Sequence, residues 1–210
     1  MRLEPKSKGR DASETHQGVI IQPNQTLQVI WIAWVVSWIA ASFWSGRTAK
    51  RVTTSETWIY RIIIFAGALL IAPWTARALG ESPIWQIGDY GACALVGVML
   101  VGLALTWWAR MQLGRLWSSA ITRKEEHRLV ETGPYALVRH PIYTGIITAL
   151  LATAATQATL LALLGAVLIA IGLWVKARTE ERFLLAELGP DAYESYRSRV
   201  PMLIPFVPHR

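Results

Sequence analysis

Of the 210 residues, 53% are hydrophobic and only 17% charged, against about 25% charged in an ordinary water-soluble domain, so a fully hydrated surface is excluded and lipid is the expected solvent for much of the chain. The net charge of +7 does not sit on one polar face: the cations fall between long apolar runs, which argues against nucleic acid as a partner and for membrane topology. The single cysteine, Cys93, lies inside an apolar run, so a disulfide framework within the chain is excluded as well.

In chain order, residues 1–25 are polar, mixed in charge and without periodicity, the pattern of a loosely held tail. The apolar stretch that follows is too long for a signal peptide and lacks a small-residue cleavage pattern. Residues 26–110 hold three apolar spans, with cores at 27–44, 62–76 and 90–109. A spanning helix needs about 20 mainly apolar residues. The first and third cores meet that alone; the second meets it only with Trp58 to Tyr60 included and Arg61 reaching back to the interface.

Residues 111–210 are organised differently. A charged connector ends at Arg139-His140-Pro141, and positions 141–175 then run without a charge. A single helix of that length would extend about 52 Å, far beyond the roughly 30 Å hydrocarbon core. Its middle is polar, Thr156-Gln157-Ala158-Thr159, so the spacing predicts a tight helical hairpin joined near Gln157. The expected fold is therefore an all-α integral membrane protein with about five transmembrane helices. Fifteen Lys and Arg residues fall on the side of the connector and the C-terminus, against five on the other, one of them Arg77 and four in the N-terminal tail. That asymmetry places the connector and the C-terminal tail in the cytoplasm.

The candidate reactive groups all fall on that cytoplasmic side. Thr132-Gly133-Pro134 is a turn signal. Pro141 suits the first turn of a helix, which puts His140 at a helix N-terminus, where an anion such as a carboxylate is favoured. The hairpin returns the segment Lys176-Ala177-Arg178-Thr179-Glu180-Glu181-Arg182 to the same membrane face, so His140, Tyr143, Glu180 and Glu181 are expected to converge. From composition alone these same residues also read as an interfacial belt of aromatic and basic groups and a solvated helix cap with an i,i+4 pair, Lys176 with Glu180. Gly189-Pro190 ends the last span, Tyr193, Tyr196, Arg197 and Val200 follow at helical spacing, and MLIPFVP reads as an extended apolar strap. No GxGxxG follows a strand, so a Rossmann-type cofactor domain is excluded, and no Cys/His cluster has metal-ligand spacing, so no metal is expected.

The string HRLVETGPYALVRHPIYTG, a short hairpin, and then RTEERFLLAELGPDAYESYRSRVPMLIPF resembles the isoprenylcysteine carboxyl methyltransferase family over about 80 residues, from His127 to Phe206. The combination of RHPxY, EE, GxxxY and RVPxLIPF carries the resemblance; the first three spans show no comparable signature. The wider group includes phospholipid N-methyltransferases. The resemblance implies S-adenosyl-L-methionine as cofactor, held between the cytoplasmic connector and the closing hairpin. By motif its contacts would be His127, Arg128, Leu129, Val130, Tyr135, His140, Pro141, Ile142 and Tyr143, with Glu180 as the first Glu of the EE pair. A cation a few residues before EE would meet the substrate carboxylate; Lys176 and Arg178 both fit that spacing, and Arg199 is a second candidate for the substrate. A carboxylate acceptor needs no base because it is already ionised at neutral pH, whereas an amine acceptor would make Glu181 the expected base. The implied partners are membrane lipids and a lipophilic methyl acceptor entering from the bilayer. That acceptor would be a prenylcysteine carboxylate, with a phospholipid amine or a small thiol as alternatives; a non-catalytic membrane scaffold is the non-enzyme reading.

Overall fold

The computed structural model describes residues 23–43, 48–51, 55–114, 117, 122–124, 129–188 and 190–207. Helix α1 is Pro23–Ser42, α2 is Ser55–Ile71, α3 is Pro73–Ala78, α4 is Asp89–Leu113, α5 is Pro141–Gln157, α6 is Leu160–Leu188 and α7 is Pro190–Arg199. Two short strands, β1 (Thr48–Arg51) and β2 (Thr122–Lys124), pair antiparallel, an addition to the expected all-helical architecture. Among the described residues, α1, α4 and α6 are long and apolar enough to cross a membrane.

The helices wear their apolar residues outward as well as inward. Val29, Ile32, Phe65, Val101 and Val167 are all exposed, which a water-soluble fold would not tolerate in such density and lipid favours. One of the expected boundaries shifts. The second span does not run through 62–76, because Pro73 lacks an N–H to continue the ladder and forces Ala72 into an extended conformation (φ −64°, ψ 127°). The chain restarts as α3. The break near Gln157, by contrast, falls where expected: Ala158 adopts the left-handed conformation (φ 55°, ψ 30°), and α6 begins two residues later.

Glycines set the closest helix contacts. A Cβ on Gly165 of α6 would lie 2.6 Å from the Gly67 carbonyl and 2.6 Å from the Ile71 amide, and one on Gly172 would lie 2.6 Å from Ile64 Cγ1. Helix α2 therefore runs antiparallel along α6, backbone against backbone. Likewise a Cβ on Gly102 of α4 would lie 2.6 Å from the Gly145 carbonyl, so α5 runs antiparallel along α4. Helix α1 docks on this pair through indole hydrogen bonds, Trp31 Nε1 to Thr153 Oγ1 at 3.0 Å and Trp34 Nε1 to Thr106 Oγ1 at 2.9 Å, which satisfy polar groups in a lipid setting.

The segment after α3 fastens the hairpin turn. Glu81 Oε1 accepts from the backbone N–H groups of Leu160 at 2.6 Å and Leu161 at 3.2 Å, capping α6. The Ile84 N–H donates to the Ala158 carbonyl at 2.6 Å and the Trp85 indole to the Ala155 carbonyl at 3.1 Å.

Candidate active site

At the opposite end of the hairpin, the start of α5 meets the charged last turns of α6. Pro141 opens α5 as its first helical residue, and His140 takes the N-cap position. The backbone N–H groups of Arg139 and His140 do not face a ligand; they donate to the carbonyls of Pro201 at 2.8 Å and Met202 at 3.1 Å. The strap of residues 201–207 thus pairs with the entry to α5, and Thr144 Oγ1 adds a 2.6 Å bond to the Leu203 carbonyl.

Glu180 and Glu181 are adjacent in sequence but serve opposite sides of this junction. Arg139 Nε donates to Glu181 Oε1 at 2.7 Å, and His140 Nε2 lies 3.2 Å from the same oxygen. Arg139 Nη1 also donates to the carbonyls of Arg197, at 3.0 Å, and Val200. One guanidinium therefore ties α5, α6 and the end of α7 together. Glu180 points toward the other face of His140: its Oε2 is 3.6 Å from His140 Nδ1, its Oε1 accepts from the Tyr143 hydroxyl at 2.7 Å, and Lys176 Nζ lies 3.9 Å away. The rings of His140 and Tyr143 stack at 5.4 Å with 4° between their planes, and Lys176 Nζ sits 5.1 Å from the Tyr143 ring centre. The acidic groups facing His140 are thus the chain's own two carboxylates, where the sequence suggested a site for an incoming anion.

Behind this cluster lie buried phenols. Tyr193, Tyr196 and Val200 of the α7 segment form a small apolar cluster against which Leu129, Leu184 and Leu185 pack. The Tyr196 hydroxyl donates to the Tyr135 carbonyl at 2.7 Å. Burial pushes the phenols of Tyr135, Tyr193 and Tyr196 well above the ordinary range, reinforced at Tyr193 by the nearby Glu181. They stay neutral and serve as walls, Tyr196 donating its hydrogen bond as well.

The structure therefore brings together His140, Tyr143, Lys176, Glu180 and Glu181. Pro141 is buried beneath them, and Ile142, Leu129 and Val130 are half-buried nearby in the chain. It separates the candidate cations. Arg178 is exposed and lies over the Trp174 ring at 4.8 Å, on another face of α6 from Lys176. Arg199 is paired with Glu131 at 2.7 Å, its side chain 60% exposed, apart from the cluster. His127 and Arg128 lie outside the described residues. Two participants escaped the sequence reading. Arg139 was visible as the first letter of RHP, and its position before an apolar helix opposite a carboxylate pair was the available signal. Tyr60, 3% exposed, lies in α2, where its ring centre is 6.0 Å from Lys176 Nζ; nothing in its sequence context marks it.

Residues 95–186, which contain Arg139, His140, Tyr143, Lys176 and both carboxylates, match the isoprenylcysteine carboxyl methyltransferase (ICMT) family. The chain is 35% identical over 119 residues to a protein-S-isoprenylcysteine O-methyltransferase of Schizosaccharomyces pombe, covering 54% of this chain and 49% of the relative. It is 29% identical over 168 residues to protein-S-isoprenylcysteine O-methyltransferase B of Arabidopsis thaliana, covering 76% and 81%. It is also 33% identical over 176 residues to methanethiol S-methyltransferase 1 of Bradyrhizobium diazoefficiens, covering 79% and 59%. The chain thus spans about half the length of the yeast relative and under two thirds of the bacterial one. The family match is centred on the hairpin that builds the cluster, and over residues 95–186 the chain is similar to the isoprenylcysteine carboxyl methyltransferase family.

Proposed function

We propose that this protein is an S-adenosyl-L-methionine-dependent integral membrane methyltransferase that methylates a carboxylate on a lipophilic, prenylcysteine-like acceptor. The observation that carries the reading is the cluster of His140, Tyr143, Lys176 and Glu180, built by the part of the chain that matches the family. The relatives named as isoprenylcysteine O-methyltransferases support the acceptor.

The residues suit a cationic methyl donor. Glu181 is consumed by Arg139 and His140 and its side chain is only 7% exposed, whereas Glu180 is 20% exposed. Among the described residues Glu180 accepts one short hydrogen bond, from Tyr143, so its carboxylate keeps acceptor capacity for a positively charged group. Together with the stacked His140 and Tyr143 rings it would hold S-adenosyl-L-methionine, with Leu129, Val130, Tyr135, Pro141 and Ile142 as the surrounding wall and the connector residues His127 and Arg128 completing it. When bound, that cofactor supplies an activated methyl group on a sulfonium. The chain's own task is then to align the acceptor and exclude water. Lys176 receives the anionic end of the acceptor, and Arg139 with Glu181 holds the floor rigid. Glu181, locked in its ion pair, serves as a positioning group in this reading and not as a base. A cation at the acceptor end disfavours an ammonium substrate, which sets the phospholipid amine aside.

Five membrane crossings fit the packing. Helices α2 and α5 have 17 residues each, about 26 Å, slightly less than the hydrocarbon core, but each lies flat along a longer neighbour. The excess of Lys and Arg puts the cluster on the cytoplasmic side, and residues 111–210 form the catalytic region. A small-thiol acceptor is the second reading, favoured by the similarity to methanethiol S-methyltransferases. The deciding experiment is transfer of labelled methyl from S-adenosyl-L-methionine by the purified protein to a farnesylcysteine analogue, methanethiol and phosphatidylethanolamine. Transfer to the farnesylcysteine carboxylate is expected; exclusive transfer to methanethiol would establish the second reading. No transfer, together with no binding of S-adenosylhomocysteine, would leave a non-catalytic scaffold.

A further inference from the structure

The family match begins at residue 95, yet one wall of the cluster comes from outside it. Gly172 of α6 lets α2 approach so closely that an added Cβ would meet Ile64, with the Tyr60 carbonyl 3.3 Å away. One helical turn further along α6, Lys176 faces Tyr60. The two contacts are linked by geometry: the glycine fixes the spacing of the helices, and the spacing places the ring. Tyr60 is buried, and its ring centre lies 6.0 Å from Lys176 Nζ while that of Tyr143 lies 5.1 Å away. The ammonium is therefore held between two aromatic rings, with Glu180 at 3.9 Å on the same helix. Aromatic faces attract an ammonium without neutralising it, unlike a second carboxylate. Held this way the ammonium lies beside Glu180 and Tyr143, at the place read above as the acceptor's.

We propose that Tyr60 is a specificity-determining positioning residue that, with Tyr143, fixes the Lys176 ammonium as the receptor for the anionic reacting atom of the methyl acceptor, whether carboxylate or thiolate. The proposal rests on the methyltransferase reading above. It adds α2, a helix without family signature, to the acceptor site, and it makes the ring of Tyr60, not its hydroxyl, the functional part.

The test uses the full-length protein purified in detergent, with Tyr60→Leu and Tyr60→Phe variants and Tyr60→Met as a second non-aromatic replacement should the leucine variant fail to fold. Three quantities are read: KM and kcat for N-acetyl-S-farnesylcysteine and for methanethiol, the Kd of S-adenosylhomocysteine, and the rate at which acetic anhydride labels Lys176, followed by mass spectrometry. The non-aromatic variants are expected to raise acceptor KM about tenfold at little changed kcat, the mark of lost acceptor binding. They should also label faster at Lys176 and leave the S-adenosylhomocysteine Kd within about twofold. Tyr60→Phe should match the wild type in all three. The farnesylcysteine and methanethiol arms tell which anion the lysine serves. Unchanged KM and labelling in the non-aromatic variants overturns the proposal, as does a phenylalanine variant as impaired as leucine. If the wild-type protein methylates neither acceptor, the methyltransferase reading fails while the labelling rates still decide whether Tyr60 positions Lys176.

Discussion

Arg139 and Glu181 stand 42 positions apart in sequence and meet at 2.7 Å, with side chains only 8% and 7% exposed. This pair joins the second residue before α5 to the charged stretch 176–182 of α6, and through the carbonyls of Arg197 and Val200 it also holds the end of α7. Removing one partner leaves the other charged and buried, which costs about 3–5 kcal/mol. Arg139→Ala and Glu181→Leu should each lower the thermal unfolding midpoint of the detergent-solubilised protein by on the order of 10 °C. Arg139→Lys should fall between, since a lysine keeps the charge but cannot reach the carboxylate and two carbonyls at once. Unfolding midpoints equal to wild type in the alanine and leucine variants would show that the pair carries little of the stability.

In the proposed function Glu180 and His140 form the face offered to the methyl donor. His140→Ala and Glu180→Ala should each weaken S-adenosylhomocysteine binding by more than about tenfold, the scale of one charge-assisted hydrogen bond. The helical circular dichroism should not change. Calorimetric titration checks this, and normal affinity in both variants would move the cofactor elsewhere.

The two cations of the KAR sequence are expected to behave differently. Lys176→Met should raise acceptor KM about tenfold, because it removes the charge beside Glu180 and Tyr143. Arg178→Met should leave steady-state kinetics near wild type, since that side chain lies over Trp174. The reverse result would reassign the acceptor contact to Arg178.

The glycine contacts predict a stability effect away from the chemistry. Gly165→Leu has no room against the Gly67 carbonyl and the Ile71 amide. Overpacking of this kind costs about 1–3 kcal/mol, so the melting midpoint should drop. Gly97→Leu, on an exposed part of α4 with open space around the Cβ position, is the matched control and should not change it.

Much of this is legible in the sequence. The length of the uncharged run after Pro141 and its polar middle forced a hairpin, and the hairpin alone brought His140 and Tyr143 to Glu180 and Glu181. Local rules failed where tertiary contacts decide. Whether Lys176 or Arg178 lies beside Glu180 and Tyr143 depends on which face of α6 meets α5, and two positions two residues apart point to different faces; only the helix crossing decides that placement. Pro73 was in plain view, yet the apolar composition of residues 62–76 outweighed it, although its missing N–H and its restriction of Ala72 favour a break there. Tyr60 was illegible for a deeper reason. The place of its ring depends on Gly172, more than a hundred residues later, which lets α2 come close enough for the ring to reach Lys176.

The far turn of the hairpin has a mechanical consequence for the near one. Glu81, Ile84 and Trp85 pin the loop around Ala158 from outside, so that end of the α5–α6 pair behaves as a fixed pivot. Helix α5 has 17 residues and is about 26 Å long, with His140 at the end opposite that turn. A rotation of about 5° at the pivot moves that end by about 2 Å relative to Glu180, more than the tolerance of any hydrogen bond in the cluster. At that end Arg139 ties the entry of α5 to Glu181 and to the end of α7, so both ends of the α5–α6 pair are fastened, the far one by Glu81 and the near one by a single guanidinium.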